Sequence, residues 1–238
     1  MHAKVWRLDF AHITCKDSIL SLGGNVDTAT LIGCFGYLIL FQDEYIVVDC
    51  GIEDLKTVNK TKTSKDDWKH LGKDGSILDN LSRLKVCPEQ ISKVFITHSH
   101  YDHLSGVIHF KNAQIYMTEK EYEFLHSEEN AHQKYLEEAI TFLDAKKEKG
   151  TLHLLEDTYE ESGIKCRMVG GHTPGSMLVY IDKFLFTGDV VYLLDNIKAG
   201  IPIGFSLNPW EAKKAVELCG QHTAIILTGH DVKCPEEA

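Results

Sequence analysis

The residues best suited to chemistry are concentrated in Thr97-His98-Ser99-His100-Tyr101-Asp102-His103, where three imidazoles and a carboxylate fall within six residues. Such a run makes a poor packing element. Neutral imidazole and carboxylate are ligands that suit zinc, and they also hold iron, manganese or cobalt. Side chains alternate along an extended segment, so His98 and His100 project the same way and can reach one ion. Asp102 and His103 follow the turn and face a second ion beside the first. The bland alternative is a solvated loop that happens to contain histidines. It is the weaker reading, because a metal site needs several converging ligands and this stretch supplies most of one.

Something must hold that loop. The preceding Val94-Phe95-Ile96-Thr97 is apolar and β-branched and then turns sharply polar, as a short buried strand emptying into a loop would. The second half repeats the arrangement. Lys165-Cys166-Arg167-Met168-Val169 runs into Gly170-Gly171-His172-Thr173-Pro174-Gly175-Ser176, Phe184-Leu185-Phe186 into Thr187-Gly188-Asp189, and Ala224-Ile225-Ile226-Leu227 into Thr228-Gly229-His230-Asp231. Glycines beside His172 permit tight turning, which suits a ligand better than a core residue. Four strand ends thus deliver metal-type residues to one edge of a layered fold.

Between these ends the chain alternates strands and helices. Residues 31–41 and 45–49 read as a hairpin about Gln42-Asp43-Glu44, closing on Asp49-Cys50-Gly51. Asp49 can either orient a ligand histidine through its second ring nitrogen or cap the next segment. Residues 52–71 are polar, with an exposed-looking Trp68, and resemble a long loop or flap. Ser76 to Leu84 carries a helical stripe with Ser76 as its cap and Asp79 in its first turn. A helix is expected from Leu104, a strand at 114–117, and helix over 118–148 with Thr118 as cap and an apolar stripe that includes Tyr122, Phe124, Tyr135 and Phe142. His126, His132 and His153 lack ligand-like neighbours and are expected at the surface. Segments 52–75 and 118–148 are the expected walls of a substrate pocket.

The 238 residues fit one large α/β domain spanning 1–238. Twenty-five Lys and Arg against 35 Asp and Glu give a formal charge of −10, which would repel a phosphate backbone and disfavours nucleic acid. There is no signal-peptide core at the N-terminus and no apolar run near the roughly 20 residues a membrane helix needs. Seven scattered cysteines without a Cys-x-x-Cys pair read as reduced thiols in a cytoplasmic protein.

The ordered set His98-Ser99-His100-Tyr101-Asp102-His103, Gly171-His172-Thr173-Pro174-Gly175, Thr187-Gly188-Asp189 and Gly229-His230 resembles the metallo-β-lactamase superfamily across nearly the whole chain. Val47-Val48-Asp49-Cys50-Gly51 matches that family's early strand-end aspartate, with Cys50 where Thr or Ser is usual. Within the superfamily, Asp189-Val190-Val191-Tyr192 and the terminal Gly229-His230-Asp231 are most similar to the N-acyl-homoserine lactonases. The resemblance implies an αββα sandwich of two mixed β-sheets flanked by helices. It further implies two Zn2+ ions per chain, one on His98, His100 and His172, the other on Asp102, His103 and His230, with Asp189 between them. The implied reaction is lactone ring opening by a metal-bridging hydroxide, with Tyr192 hydrogen-bonding the substrate and Asp102 passing a proton to the leaving alkoxide. A thioesterase of the hydroxyacylglutathione hydrolase type, or another small-ester metallohydrolase, is the alternative. The thioesterases usually carry an additional C-terminal helical region with basic residues. A β-lactamase, a phosphodiesterase and a non-catalytic or oxygen-reducing iron protein are weaker alternatives. A small lactone or ester is the expected partner, without nucleic acid or membrane.

Overall fold

The apolar runs form strands and the amphipathic ones helices, in a computed structural model that describes residues 2–61, 67–130 and 133–238. One sheet holds β1 (Lys4–Lys16), β2 (Ala29–Phe41), β3 (Glu44–Val48), β4 (Ile91–Phe95), β5 (Gln114–Thr118) and β6 (Leu152–Leu155) in that spatial order. Its first three strands are antiparallel and β3 to β6 run parallel. The other sheet contains β7 (Thr158–Glu161), β8 (Ile164–Met168), β9 (Met177–Ile181), β10 (Phe184–Phe186) and β11 (Ile225–Leu227), ordered β11-β10-β9-β8-β7, with only β10 and β11 parallel. The helices are α1 (Asp17–Leu20), α2 (Leu55–Thr61), α3 (Ile77–Arg83), α4 (Tyr101–Leu104), α5 (Glu119–Leu125), α6 (Glu137–Glu148), α7 (Leu194–Ala199) and α8 (Pro209–Gly220).

Alternation along single strands shows how the layers stack. Ile46 and Val48 join Ile39, Phe95, Val179, Phe184 and Phe186 between the sheets, while Val47 and Leu38 face the opposite way, toward Ile77, Leu81, Val107 and Leu143. Both faces of the sheet are therefore covered, which is why β3 reads as an unbroken apolar run. Leu178 and Leu185 turn outward onto Ala215, Val216 and Cys219 of α8. The result is the expected αββα sandwich of two mixed sheets.

Local signals hold at several points. Gln42 and Asp43 both have positive φ, 52° and 64°, as a two-residue turn matching the twist of a hairpin requires. Ser76 caps α3 in a reciprocal box with Asp79. Thr118 caps α5 through its hydroxyl. The helix expected across 118–148 instead divides into α5 and α6, because beyond Leu125 the chain turns, the Ser127 amide donating to the Phe124 carbonyl and the Asn130 amide to the Ser127 carbonyl. The helix expected after the histidine motif begins inside it, at Tyr101. All seven cysteines are free, five of them buried. Among the described residues no helix is long and apolar enough to cross a membrane.

Candidate metal centre

Each of the four strand ends brings its residues to one place. His98 and His100 follow β4, while Asp102 and His103 sit on the single turn of α4. His172 follows β8, Asp189 lies in the 3-10 turn Gly188–Val190 after β10, and His230 follows β11. The amide of Met177 at the head of β9 donates to the Thr97 carbonyl at 3.0 Å, tying the two sheets together beside the site.

The seven side chains sort into two sets, His98, His100, His172 and Asp189 in one, Asp102, His103 and His230 in the other. Asp189 faces both. Its Oδ2 is 3.3 Å from His172 Nε2 and 3.6 Å from His98 Nε2, whereas its Oδ1 is 2.9 Å from His230 Nε2 and 3.0 Å from His103 Nε2. Asp102 Oδ2 stands 3.8 Å from both His103 and His230 Nε2.

The far side of most rings is anchored, and this decides which nitrogen faces inward. His103 Nδ1 is 2.8 Å from Asp49 Oδ2, His230 Nδ1 is 2.6 Å from the Gly33 carbonyl, and His172 Nδ1 is 2.9 Å from the Phe205 carbonyl. Those oxygens can only accept, so in the neutral ring each Nδ1 carries the proton and each Nε2 presents a lone pair. The Thr97 hydroxyl donates to Asp49 Oδ2 at 2.8 Å, so at 3.2 Å it accepts from His98 Nδ1, and His98 also turns a bare Nε2 inward. His100 enters with Nδ1, 2.9 Å from His172 Nε2. Of Asp49's two readings, the orienting one is therefore observed.

This donor set fits metal. His98 Nε2, His103 Nε2 and Asp189 Oδ1 are buried without a hydrogen-bond partner among the described residues, an arrangement that ordinarily costs about 1–3 kcal/mol per group. His103 Nε2 and Asp189 Oδ1 stand 3.0 Å apart without forming a hydrogen bond. Such orphaned nitrogen and oxygen donors, once deprotonated, are what a divalent cation satisfies. The backbone gives way to them at Gly229, where a Cβ would lie 2.8 Å from His103 Cε1 and 3.2 Å from Asp189 Oδ1.

The charges are strongly coupled to burial. Burial pushes His98 well below its ordinary range, helped by the neighbouring His103. Burial opposes charge on His103 too, but Asp189, Asp49 and Asp102 outweigh it and hold that imidazole well above its usual value, favouring a second proton on Nε2 that a bound cation would displace. Burial would raise Asp189, yet His103, His230 and His98 hold it well below the usual carboxylate range. Tyr192 is raised by burial and then by Asp189 and Asp102, so its phenol remains a donor.

A cavity of about 150 Å3 opens on the site, lined by Ile13, Cys15, Ile19, Ile32, Trp68, His100, Tyr101, Asp102, Asp189, Tyr192, Phe205 and His230. The walls differ from expectation. Among the described residues of 52–75 only Trp68 lines this cavity, and those of 118–148 contribute no lining residue, acting one layer back where Tyr135 packs on Tyr101. Trp68 is buried, 6% exposed, rather than exposed. Its Nε1 donates to the Tyr101 hydroxyl at 2.8 Å, Asn59 brackets its backbone, and its ring stacks near His230. Cys50 is buried, with its amide donating to the His103 carbonyl at 2.6 Å. Asp231 faces away, its carboxylate accepting from the amides of Leu194 and Lys233. His126 is exposed and His153 half-buried; His132 lies outside the described residues.

A model of the metallo-β-lactamase superfamily matches residues 29–230. The chain belongs to that superfamily and is a metallo-hydrolase of it. A relative from Methanocaldococcus jannaschii named "Probable metallo-hydrolase" is 28% identical over 65% of this chain; the match spans 64% of that protein, just under two thirds. An N-acyl homoserine lactonase of a Bacillus species is 28% identical over 83% of this chain and 80% of its own length. Among solved structures, a Bacillus thuringiensis N-acyl homoserine lactonase variant with N-decanoyl-L-homoserine bound at its active site superposes with a TM-score of 0.80 and 22% identity, covering 98% of this chain and 95% of that one.

Proposed function

We propose that the protein is a two-zinc hydrolase that opens the lactone ring of N-acyl-homoserine lactones, a quorum-quenching activity. Asp189 carries the reading: one buried carboxylate turns each oxygen to a different set of imidazoles, in a chain similar to lactonases. His98, His100 and His172 would hold one ion and Asp102, His103 and His230 the other, with Asp189 shared. Bound there, two divalent ions would supply Lewis-acid polarisation of an ester carbonyl and hydroxide near neutral pH.

The remaining roles belong to this chain's own side chains. Tyr192 has its ring 5.0 Å from that of His230 and 5.8 Å from that of His172, so it stands beside both sets. Its protonated hydroxyl serves as a hydrogen-bond donor to the substrate carbonyl or ring oxygen. Asp102 takes the proton that the attacking water loses and delivers it to the alkoxide as the acyl C–O bond of the ring breaks, completing ring opening. Ile13, Ile19, Ile32 and Phe205 give the cavity an apolar side that suits an acyl chain and keeps water from it. Residues 1–238 act as one hydrolase domain, since both sheets contribute to the same centre. The free thiols support a reducing, cytoplasmic setting.

Metal analysis of zinc-loaded protein, together with proton release on homoserine lactones, a glutathione thioester and a phosphodiester, tests this reading. About two zincs per chain and preferential lactone opening are expected. Two zincs with turnover of the thioester or phosphodiester alone would replace the substrate, and iron without hydrolysis would overturn the reaction.

A further inference from the structure

Glu121, in the first turn of α5, is completely buried. Among the described residues no lysine or arginine pairs with it. Instead its Oε1 accepts from the Ser99 amide at 2.8 Å and the Ser99 hydroxyl at 2.6 Å. Its Oε2 accepts from the Thr173 hydroxyl at 2.7 Å and the Gly175 amide at 2.9 Å. Ser99 lies between His98 and His100, and Thr173 follows His172. One carboxylate therefore grips both loops that present the His98, His100 and His172 set, one loop from each sheet.

The surroundings reinforce the grip. Thr118, which caps α5 by accepting from the Glu121 amide, also donates its hydroxyl to the Gly175 carbonyl at 2.7 Å. At Gly175 a Cβ would fall 2.2 Å from the Glu121 amide nitrogen, so the loop can lie this close only as glycine. Nothing in this network reaches His103 or His230, whose rings lean on Asp49 and the Gly33 carbonyl.

We propose that Glu121 is a positioning residue for one half of the centre, setting the spacing of His98, His100 and His172 without touching them. The inference rests on the two-ion reading above. Its chemical requirement is a carboxylate: each oxygen faces one backbone N–H, a donor that cannot be reversed as a hydroxyl can. A glutamine must set its NH2 against either the Ser99 or the Gly175 amide, whichever way it is flipped. Outer groups of this kind typically change metal affinity about 10–100-fold.

The test is equilibrium titration of metal-free protein with Zn2+ and Co2+, following stoichiometry and the visible spectrum, for wild type, Glu121→Gln, Ser99→Ala and Thr173→Val. Wild type is expected to take two ions. Glu121→Gln is expected to bind one as wild type does and the other about 10–100-fold more weakly, its Co2+ spectrum at one equivalent matching His172→Ala and not His230→Ala. Ser99→Ala and Thr173→Val each remove one hydroxyl while leaving both amide bonds. They are expected to weaken the same ion by a smaller factor, and they carry the test if Glu121→Gln does not fold. Two ions held by Glu121→Gln with wild-type affinity would overturn the inference, as would hydroxyl variants indistinguishable from wild type. A wild type that binds fewer than two ions would instead remove the two-ion reading beneath it.

Discussion

The two halves of the centre share ring anchoring, and one of them adds a second hold. His103 and His230 are fixed by direct hydrogen bonds from their rings to Asp49 and to the Gly33 carbonyl, both rooted in the antiparallel part of the first sheet. The rings of His98 and His172 are anchored likewise, on the Thr97 hydroxyl and the Phe205 carbonyl, but that half adds a hold on its loops, with Glu121 gripping main chain and hydroxyls beside the rings. Only Asp189 belongs to both. Direct ring anchoring sets the tautomer, whereas loop anchoring sets the distance between rings, so the two halves can be disturbed separately.

Asp189→Asn should abolish the distinction by damaging both halves: bound metal falls below one ion per chain and kcat/KM for a lactone drops roughly a thousandfold, about 4 kcal/mol. Metal analysis beside steady-state kinetics would show it, and a variant with full activity would remove the shared carboxylate from the mechanism. Tyr192→Phe should leave both halves loaded and slow turnover about a hundredfold, as expected for a lost donor at the reacting oxygen. Unchanged kcat would demote Tyr192 to packing. Asp49→Asn should injure chiefly the His103 half, by about 10–100-fold in affinity for one ion. An asparagine that keeps its oxygen on the Thr97 amide must turn NH2 toward His103 Nδ1, forcing the proton onto the nitrogen that faces the centre. Its Co2+ spectrum should then resemble that of His230→Ala, opposite to Glu121→Gln. Smallest, Ser76→Ala removes a helix cap that belongs to neither half and should cost about 1 kcal/mol of unfolding free energy with metal content unchanged, as a denaturant titration would report.

Legibility in the sequence followed the range of the interaction. The ligand run, the hairpin turn at Gln42-Asp43, the Ser76 box and the Thr118 cap were readable because each is decided within a few neighbouring residues. Glu121 was not: it sits among acidic residues on an amphipathic helix, and its partners lie 22, 52 and 54 positions away. Trp68 was misread for the same reason, since its polar flanks say nothing of the mutual backbone bonds between His12 and Lys69 that draw it inward. The Gly33 and Phe205 carbonyls that orient His230 and His172 are main-chain atoms and leave no residue-type signal at all. The cavity wall from Ile13, Ile19 and Phe205 depends on segments 17–22 and 202–205 being joined by backbone bonds such as Phe205 to Ile19, which only the tertiary fold creates.

The placement of His230 beyond β11, the strand that adds in parallel beside β10, governs the order of assembly. His98 can be in place long before its counterpart exists, and the intervening chain must first close the second sheet upon the first. Contacts of such sequence separation form late, after the entropy of a long loop has been overcome. During synthesis the half containing His230 therefore waits until the chain has emerged through β11, and capture of the second ion would follow the closing of the second sheet rather than precede it.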